Sequence, residues 1–266
     1  MPVYELLIPA REEGQKNKIG KVKGDTWMGA LKVGLAKLGD STDVSSLLCD
    51  VRNDGSLAVT DPKSGRVFRI REMGANITPE SQAQAETETL QGRQEEARPI
   101  EDILGELFSK VQDIYTCSSL QDASQFILQL AVESIPVESG AVLIADINEA
   151  DLSFLSASGP KAEEIMDFRI PIGEGIAGFC AQEGVALAVS DVSRDERFFA
   201  ELTESVGYEV QSLLCTPAQR TGRTYGVLEL VNKRSGSSFS VEDLNVLAFL
   251  AHEYTSYLIN TGQTGD

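Results

Sequence analysis

A polar stretch divides the chain into two parts. Residues 75–98 are rich in Gln, Glu, Thr and Ala and contain almost nothing apolar. Such a segment cannot offset its ordering entropy by burying apolar surface. We therefore interpret 75–98 as a flexible linker between a small module at 1–74 and a domain at 99–260, with a disordered tail at 261–266. A chain of 266 residues is long enough for two separate cores.

Charge is distributed unevenly between these parts. Residues 1–74 hold 12 Lys and Arg against 10 Asp and Glu, whereas residues 101–266 hold 9 against 26. The larger part repels a phosphate backbone, so we expect no nucleic-acid partner. The only basic cluster of the sequence consists of Lys16, Lys18, Lys21 and Lys23, before the first helix. We interpret it as a solvated edge strand.

The sequence offers no sign of membrane insertion or secretion. It has no apolar run near the roughly 18 residues that a membrane-spanning helix needs, and its first residues soon become charged. The four cysteines are widely spread and never form a CxxC pair, which predicts small buried thiols. We expect a cytoplasmic protein with no membrane partner.

The module at 1–74 reads as ββαβββ. Thr26 or Asp25 caps a helix that Gly39 ends, and Trp27 in its first turn is expected in the core. The five expected strands are Val3–Pro9, Lys18–Lys23, Leu47–Arg52, Ser56–Thr60 and Arg66–Arg71. The module resembles no family and shows no catalytic constellation.

The domain at 99–260 is predicted to be α+β, an antiparallel sheet flanked by helices. The apolar spacing predicts three helices, at Pro99–Tyr115, Gln121–Ser134 and Val241–Ile259. It also predicts an antiparallel pair of strands, at Gly140–Asn148 and Leu152–Ser158. The most informative stretch, FRIPIGEGIAGFCAQEGVALAVSDVSRDERF at 168–198, passes from a strand through a glycine turn into a short helix. Gly173 and Gly175 permit a tight turn, and the amides of Ile176 and Ala177 would then form an anion site at a helix start. Asp191, Asp195 and Glu196 are expected in a solvated loop.

These residues resemble a GAF domain, and the likeness covers residues 100–260. It continues through GYEVQSLLC at 207–215 and GVLELVNK at 226–233 to the last helix. The family's Asn-Lys…Phe…Asp-Glu signature is present as Asn232, Lys233, Phe239 and Asp243, with Leu244 at the last acidic position. This motif is expected to be structural, with an ion pair from Lys233 to Asp243 that clamps the last helix on the sheet.

The resemblance also implies a ligand site. In the cyclic-nucleotide-binding members the glycine-turn backbone holds the phosphate, and the Glu three residues before the Asn-Lys pair helps to anchor the purine. The candidate ligand-binding residues are therefore Gly175, Ile176, Ala177, Phe199 and Glu229. Val206 and Val210 stand where those members carry hydroxyl groups, so the ligand could be a cyclic nucleotide, a different small molecule or none.

Other functions receive less support. His252, the single histidine, lies in the last helix, which argues against haem sensing. The methionine sulfoxide reductase branch of the family carries a cysteine where Ala177 stands, with Cys180 three residues later. We expect no enzyme activity, no metal and no cofactor apart from a cyclic nucleotide or similar ligand. The expected role is that of a sensor or of a ligand-free scaffold that contacts an unknown signalling protein.

Self-association is expected through the terminal helices. The helix at Pro99–Tyr115 and the last helix carry more apolar surface than one sheet face needs. In the last helix Val246, Phe249, Leu250 and Tyr257 lie partly outside the main apolar stripe. A second copy of the chain would cover this surplus in a homodimer.

Overall fold

The computed structural model describes residues 1–10, 16–42, 44, 48–51, 56–61, 64–73, 100–195, 197–198, 205–234 and 238–263. The chain divides into two compact units, Met1–Ala97 and Arg98–Asp266. The predicted linker at 75–98 and the last three residues of the predicted tail lie outside the described residues.

Among its described residues the first unit has a five-stranded antiparallel sheet and one α-helix. The strands follow the order β2-β1-β5-β4-β3 across the sheet. Along the chain the elements are β1 Val3–Ile8, β2 Lys18–Lys23, α1 Trp27–Lys37, β3 Leu48–Val51, β4 Leu57–Thr60 and β5 Val67–Glu72. This is the ββαβββ order that the sequence predicts.

Helix α1 is positioned by its cap and by one glycine. Thr26 caps it, because its Oγ1 accepts a hydrogen bond from Gly29 N at 3.1 Å. A Cβ on Gly34 would lie 2.2 Å from Leu6 Cδ1, so the helix backbone lies directly on β1. Trp27 is buried, which confirms that it belongs to the core.

The second unit contains a six-stranded antiparallel sheet and, among the described residues, four α-helices of nine residues or more. The strands lie in the order β8-β7-β6-β11-β10-β9. The strands are β6 Val137–Asp146, β7 Asp151–Ser158, β8 Arg169–Pro171, β9 Leu187–Val189, β10 Leu213–Arg220 and β11 Arg223–Lys233. The helices are α2 Ile100–Val111, α3 Leu120–Ser134, α4 Gly175–Glu183 and α5 Val241–Thr261. The α+β fold class with helices flanking an antiparallel sheet is confirmed.

Two helix boundaries differ from the sequence prediction. The first helix ends as an α-helix at Val111 and continues as a 3-10 helix over Gln112–Thr116. The last helix runs to Thr261, and Gly262 ends it in the left-handed conformation with φ of 70°. Thr261, which the sequence predicts to be in a disordered tail, is therefore the last residue of this helix.

Helices α3 and α5 pack together on one face of the sheet. A Cβ on Gly140 in β6 would lie 3.1 Å from Leu128 of α3 and 2.9 Å from Leu230 of β11, so these residues share a face. Ser124 Oγ of α3 and Tyr254 OH of α5 are hydrogen-bonded at 3.1 Å. Since successive strand residues point to opposite faces, Glu229 lies on the face turned away from α3.

Candidate functional site

Glu229 is a carboxylate on the sheet face opposite α3. It lies in β11, directly across from Cys215 in β10 and Ala141 in β6. The Cys215 thiol donates a hydrogen bond to Glu229 Oε2 at 3.4 Å, and it is the one hydrogen-bond partner of the Glu229 carboxyl among the described residues. Glu229 is half-buried, and burial raises the pKa of its carboxyl to about 7 against the lowering effect of that bond.

Two fully buried thiols accompany this carboxylate. Burial raises the pKa of Cys180 and of Cys215 well above the ordinary value, and the charge of Glu229 is the second cause for both. Cys180 belongs to α4, so α4 lies beside Glu229 on this face of the sheet. The raised pKa keeps both cysteines in the thiol form at neutral pH, and a thiol is a poor nucleophile.

The glycine turn before α4 is built by backbone contacts. Gly173 and Gly175 have φ of 96° and 67°, a region where an L side chain is strained. A Cβ on Gly178 would lie 2.4 Å from Pro171 O, so the helix backbone lies directly against β8. Gly173 N also donates to Gly178 O at 2.9 Å, which folds the turn back on its own helix.

The predicted anion-binding residues form the first turn of α4. Gly175 starts the helix, and Ile176 and Ala177 are buried. They lie four and three residues before Cys180, which puts their side chains on the helix face that meets Glu229. The amides of a first helical turn have no acceptor within the helix and suit an anion. The structure therefore places Gly175, Ile176, Ala177 and Glu229 around one region, whereas Phe199 lies outside the described residues.

A short segment after β9 lies next to α4. Arg197 Nε donates a hydrogen bond to Asp195 Oδ1 at 2.8 Å. The Arg197 guanidinium also lies 4.8 Å from the ring centre of Phe179 in α4. The charge of Arg197 also lowers the pKa of Cys215, so this cation lies near the site. The expectation that Asp195 is solvated is wrong, because only 7% of it is exposed. Glu196 lies outside the described residues.

Sequence reasoning missed the pairing of Asp195 with Arg197. The two residues are two apart in a loop, where no periodic pattern predicts that their side chains meet. The available signal was local: an Asp side chain commonly accepts a hydrogen bond from the backbone two residues on. Here Arg197 N donates to Asp195 Oδ1 at 3.0 Å, and that turn brings the two charges together.

Asn232 connects the end of β11 to the segment before β10. Its Oδ1 accepts hydrogen bonds from Gln211 N at 2.8 Å and Ser212 N at 3.3 Å. Its Nδ2 donates to Glu209 O at 2.8 Å and Glu138 Oε2 at 2.9 Å. Asn232 has φ of 58°, a left-handed conformation that Asn tolerates better than most residues. One side chain therefore holds two successive amides and a carbonyl of this segment.

The next residue connects the same strand end to α5. The Lys233 ammonium contacts the Asp243 carboxylate, which is the ion pair expected from the sequence. Asp243 also accepts from Ser240 N at 2.7 Å, and its own amide donates to Ser240 Oγ, so it completes a capping box. Phe239 is buried beside this cap. Leu244 is buried in the core, which explains why an apolar residue suits this position.

Comparison with known proteins agrees with this architecture. The GAF domain family model matches residues 119–255, which is more than half of the chain. The chain therefore belongs to the GAF domain family. A dual 3',5'-cyclic-AMP and -GMP phosphodiesterase 11A of Takifugu rubripes is 37% identical over 83 residues, an alignment that covers 30% of this chain and 9% of that protein.

Solved structures share the fold at low sequence identity. The GAF domain of a phosphoenolpyruvate-protein phosphotransferase of Coxiella burnetii has a TM-score of 0.56 at 17% identity, covering 63% of this chain and 99% of that one. The free methionine-R-sulfoxide reductase of Neisseria meningitidis has a TM-score of 0.52 at 20% identity, covering 65% of this chain and 95% of that one.

Within the described part of the chain, no helix combines the length and apolarity needed to span a bilayer.

Replacing Asn232 is expected to destabilise the second unit. Asn232→Ala leaves the amides of Gln211 and Ser212 without their acceptor and puts a residue that tolerates the left-handed conformation less well than Asn at φ of 58°, at a cost of about 3 kcal/mol or more. Asn232→Gly loses the same hydrogen bonds without the backbone strain and should cost about 1 kcal/mol less. Urea denaturation followed by circular dichroism measures both, with Asn148→Ala in the exposed β6–β7 turn as the control. Equal stability of all variants would contradict the role given to Asn232.

The Glu229 carboxyl predicts a pH-dependent stability. Its folded pKa of about 7 lies above the ordinary value of 4.5, so the folded state holds a proton that the unfolded state has lost between these values. The wild-type protein should therefore lose stability as pH rises from 4.5 to 7. Glu229→Gln removes this loss and should be more stable than wild type by up to about 3 kcal/mol above pH 7. Thermal or urea unfolding from pH 4.5 to 8 tests this, with Glu149→Gln as the control for one lost charge. A constant difference between wild type and Glu229→Gln across this range would contradict the prediction.

Proposed function

We propose that this protein is a non-enzymatic regulatory protein whose GAF domain binds a small anionic ligand, with a cyclic nucleotide as the leading candidate. The observation that carries the proposal is the pairing of two unlike polar groups on one sheet face. The first turn of α4 offers backbone amides to a phosphate, and Glu229 offers a carboxyl to a base. A half-buried carboxyl whose one partner among the described residues is a thiol costs folding free energy, which is typical of functional sites.

The relatives favour this ligand class. The similar phosphodiesterase is named for cyclic AMP and cyclic GMP, although the aligned part is a small fraction of it. With a pKa of about 7, Glu229 is ionised in part of the molecules and protonated in the rest at neutral pH. It can therefore accept a hydrogen bond from a base or donate one.

The proposal includes no catalysis. A reductase mechanism needs reactive thiolates, and both thiols of this site are buried with raised pKa values. The four cysteines, all of which the structure describes, form no disulfide, which fits a reducing compartment such as the cytoplasm.

Binding of cyclic nucleotides tests the ligand proposal. We expect calorimetry of the wild-type protein to detect cyclic AMP or cyclic GMP below about 1 mM. Glu229→Ala should weaken that binding about tenfold, because the base loses a hydrogen-bond partner. Glu149→Ala is the control, since Glu149 lies in an exposed turn. Absence of heat with the wild type up to about 1 mM would reject the nucleotide and leave an interaction module.

A second role, self-association, is favoured by two exposed aromatic side chains. Phe108 in α2 is 60% exposed and Tyr115 in the following 3-10 helix is 45% exposed. The last helix exposes less apolar surface for self-association than the sequence suggests. Its residues Val246, Leu250 and Tyr257 are buried within the chain, and Phe249 is half-buried. A homodimer through α2 would cover Phe108 and Tyr115. A different signalling protein on this surface is the alternative.

Sedimentation at micromolar concentration tests the dimer. The wild-type protein is expected to sediment as a dimer, and Phe108→Asp as a monomer, because a buried carboxylate at the centre of an interface opposes association. Ile147→Asp is the matched control, since Ile147 is 51% exposed in the β6–β7 turn. A wild-type monomer would remove the homodimer and favour a different partner protein.

A further inference from the structure

Strand β2 is an edge of the first unit's sheet, with no further strand beside it among the described residues. It pairs with β1 and forms one end of the strand order. Leu6 of β1 contacts α1 and lies across from Gly20, so Gly20 is on the face of the sheet that α1 covers. The residues at odd-numbered positions of β2 therefore lie on the face away from α1. On that face β2 presents only exposed side chains, Ile19, Lys21 and Lys23. An edge strand also leaves alternate backbone N–H and C=O groups unpaired.

The rows of side chains across this face end at β2 in a definite pattern. Arg71, Glu5 and Lys21 lie side by side on β5, β1 and β2, so the signs of charge alternate and the row ends on a cation. The next row, Arg69, Leu7 and Ile19, ends on an apolar side chain that is 67% exposed. The row on the other side passes from Val3 to Lys23 and again ends on a cation.

We propose that β2 is a docking edge for an acidic extended segment of a partner protein. The segment adds as a sixth strand, with acidic residues across from Lys23 and Lys21 and an apolar residue across from Ile19. An acid across from Lys21 continues the alternation of charge that Arg71, Glu5 and Lys21 begin. Main-chain hydrogen bonds supply the affinity in strand addition, and alternate side chains supply the specificity.

The lysines select the occupant by excluding others. A second copy of β2 would put lysines near lysines, and like charges across strands are unfavourable. Lys18 is different from Lys21 and Lys23, because it lies on the α1 side and its ammonium donates to Leu38 O at 3.4 Å.

A short acidic segment is favoured over larger polyanions. Among the described side chains of this face none is aromatic, so it offers no stacking surface to nucleic-acid bases. The formal charge of the whole chain is −18, which opposes a long phosphate backbone or an anionic membrane more than a short peptide. Lysines within a Debye length of about 8 Å still attract a local carboxylate at physiological salt.

Fluorescently labelled peptides test the proposal on the full chain. The two probes are Ac-TVTETET-amide and Ac-TETETVT-amide, one for each strand direction, because the register requires Val and two Glu on one face. We expect saturable binding of one probe and binding at least about tenfold weaker to Lys21→Glu/Lys23→Glu. The control variant Lys37→Glu/Lys110→Glu changes the charge equally at exposed helix positions and should bind within about twofold of wild type.

Three further arms decide the mode and class of partner. An N-methylated version of the bound probe keeps its side chains but lacks alternate main-chain donors, and it should bind at least about tenfold more weakly. Equal binding of the N-methylated probe, or of the same composition with adjacent glutamates (Ac-TVEETTT-amide), would overturn strand addition. Failure of both probes to bind below about 1 mM would overturn the docking edge. Lysine-dependent binding of an oligothymidylate or of phosphatidylserine vesicles without peptide binding would assign the edge to a polyanion instead.

Discussion

The end of β11 is the constraint on which the second unit depends. Asn232 holds the amides of Gln211 and Ser212 and the carbonyl of Glu209, and Lys233 beside it holds the cap of α5 through Asp243. A carboxamide suits this position because it accepts and donates at once, whereas an aspartate could not donate to Glu209 O. Two adjacent residues thus connect a loop segment and a helix start to one strand. Any displacement of the loop segment would therefore act on the same strand end that anchors α5.

Glu229 is the opposite case, a residue that folding alone does not favour. It stands three residues before Asn232 on the same strand, and its cross-strand neighbours Cys215 and Ala141 are buried. Removing a carboxyl from water opposes its ionisation, and the Cys215 thiol is a weak hydrogen-bond donor. A glutamine or an apolar residue would avoid that cost. Residues that break the local rules of stability in this way concentrate at functional sites.

Much of this fold follows from short-range patterns in the sequence. The strand and helix periodicities, the cap at Thr26 and the turn at Gly173 and Gly175 are local features, and the structure contains them. The burial of α5 could not be predicted this way. Its residues Tyr254 and Tyr257 are covered by segments more than a hundred positions earlier, through Ser124 and through the Tyr115 ring at 5.8 Å. Local periodicity identifies one apolar stripe on α5. Only the packing of α2 and α3 shows that a second apolar stripe of α5 is also buried within the same chain.

The lysines of β2 are separated from the forces that hold that strand in place. Val22 is buried against α1, with its Cγ2 3.6 Å from where a Cβ of Gly34 would lie, and the register with β1 is continuous from Lys18 to Lys23. Apolar burial on one face therefore sets the position of the strand, because a slip of one residue would expose Val22. Lys21 and Lys23 contribute nothing to that burial and show no ion pair among the described residues. Reversing their charge therefore changes recognition and leaves the apolar burial of the strand intact, although Lys21→Glu replaces the opposite-charge pair with Glu5 by a like-charge pair at a cost of about 1 kcal/mol.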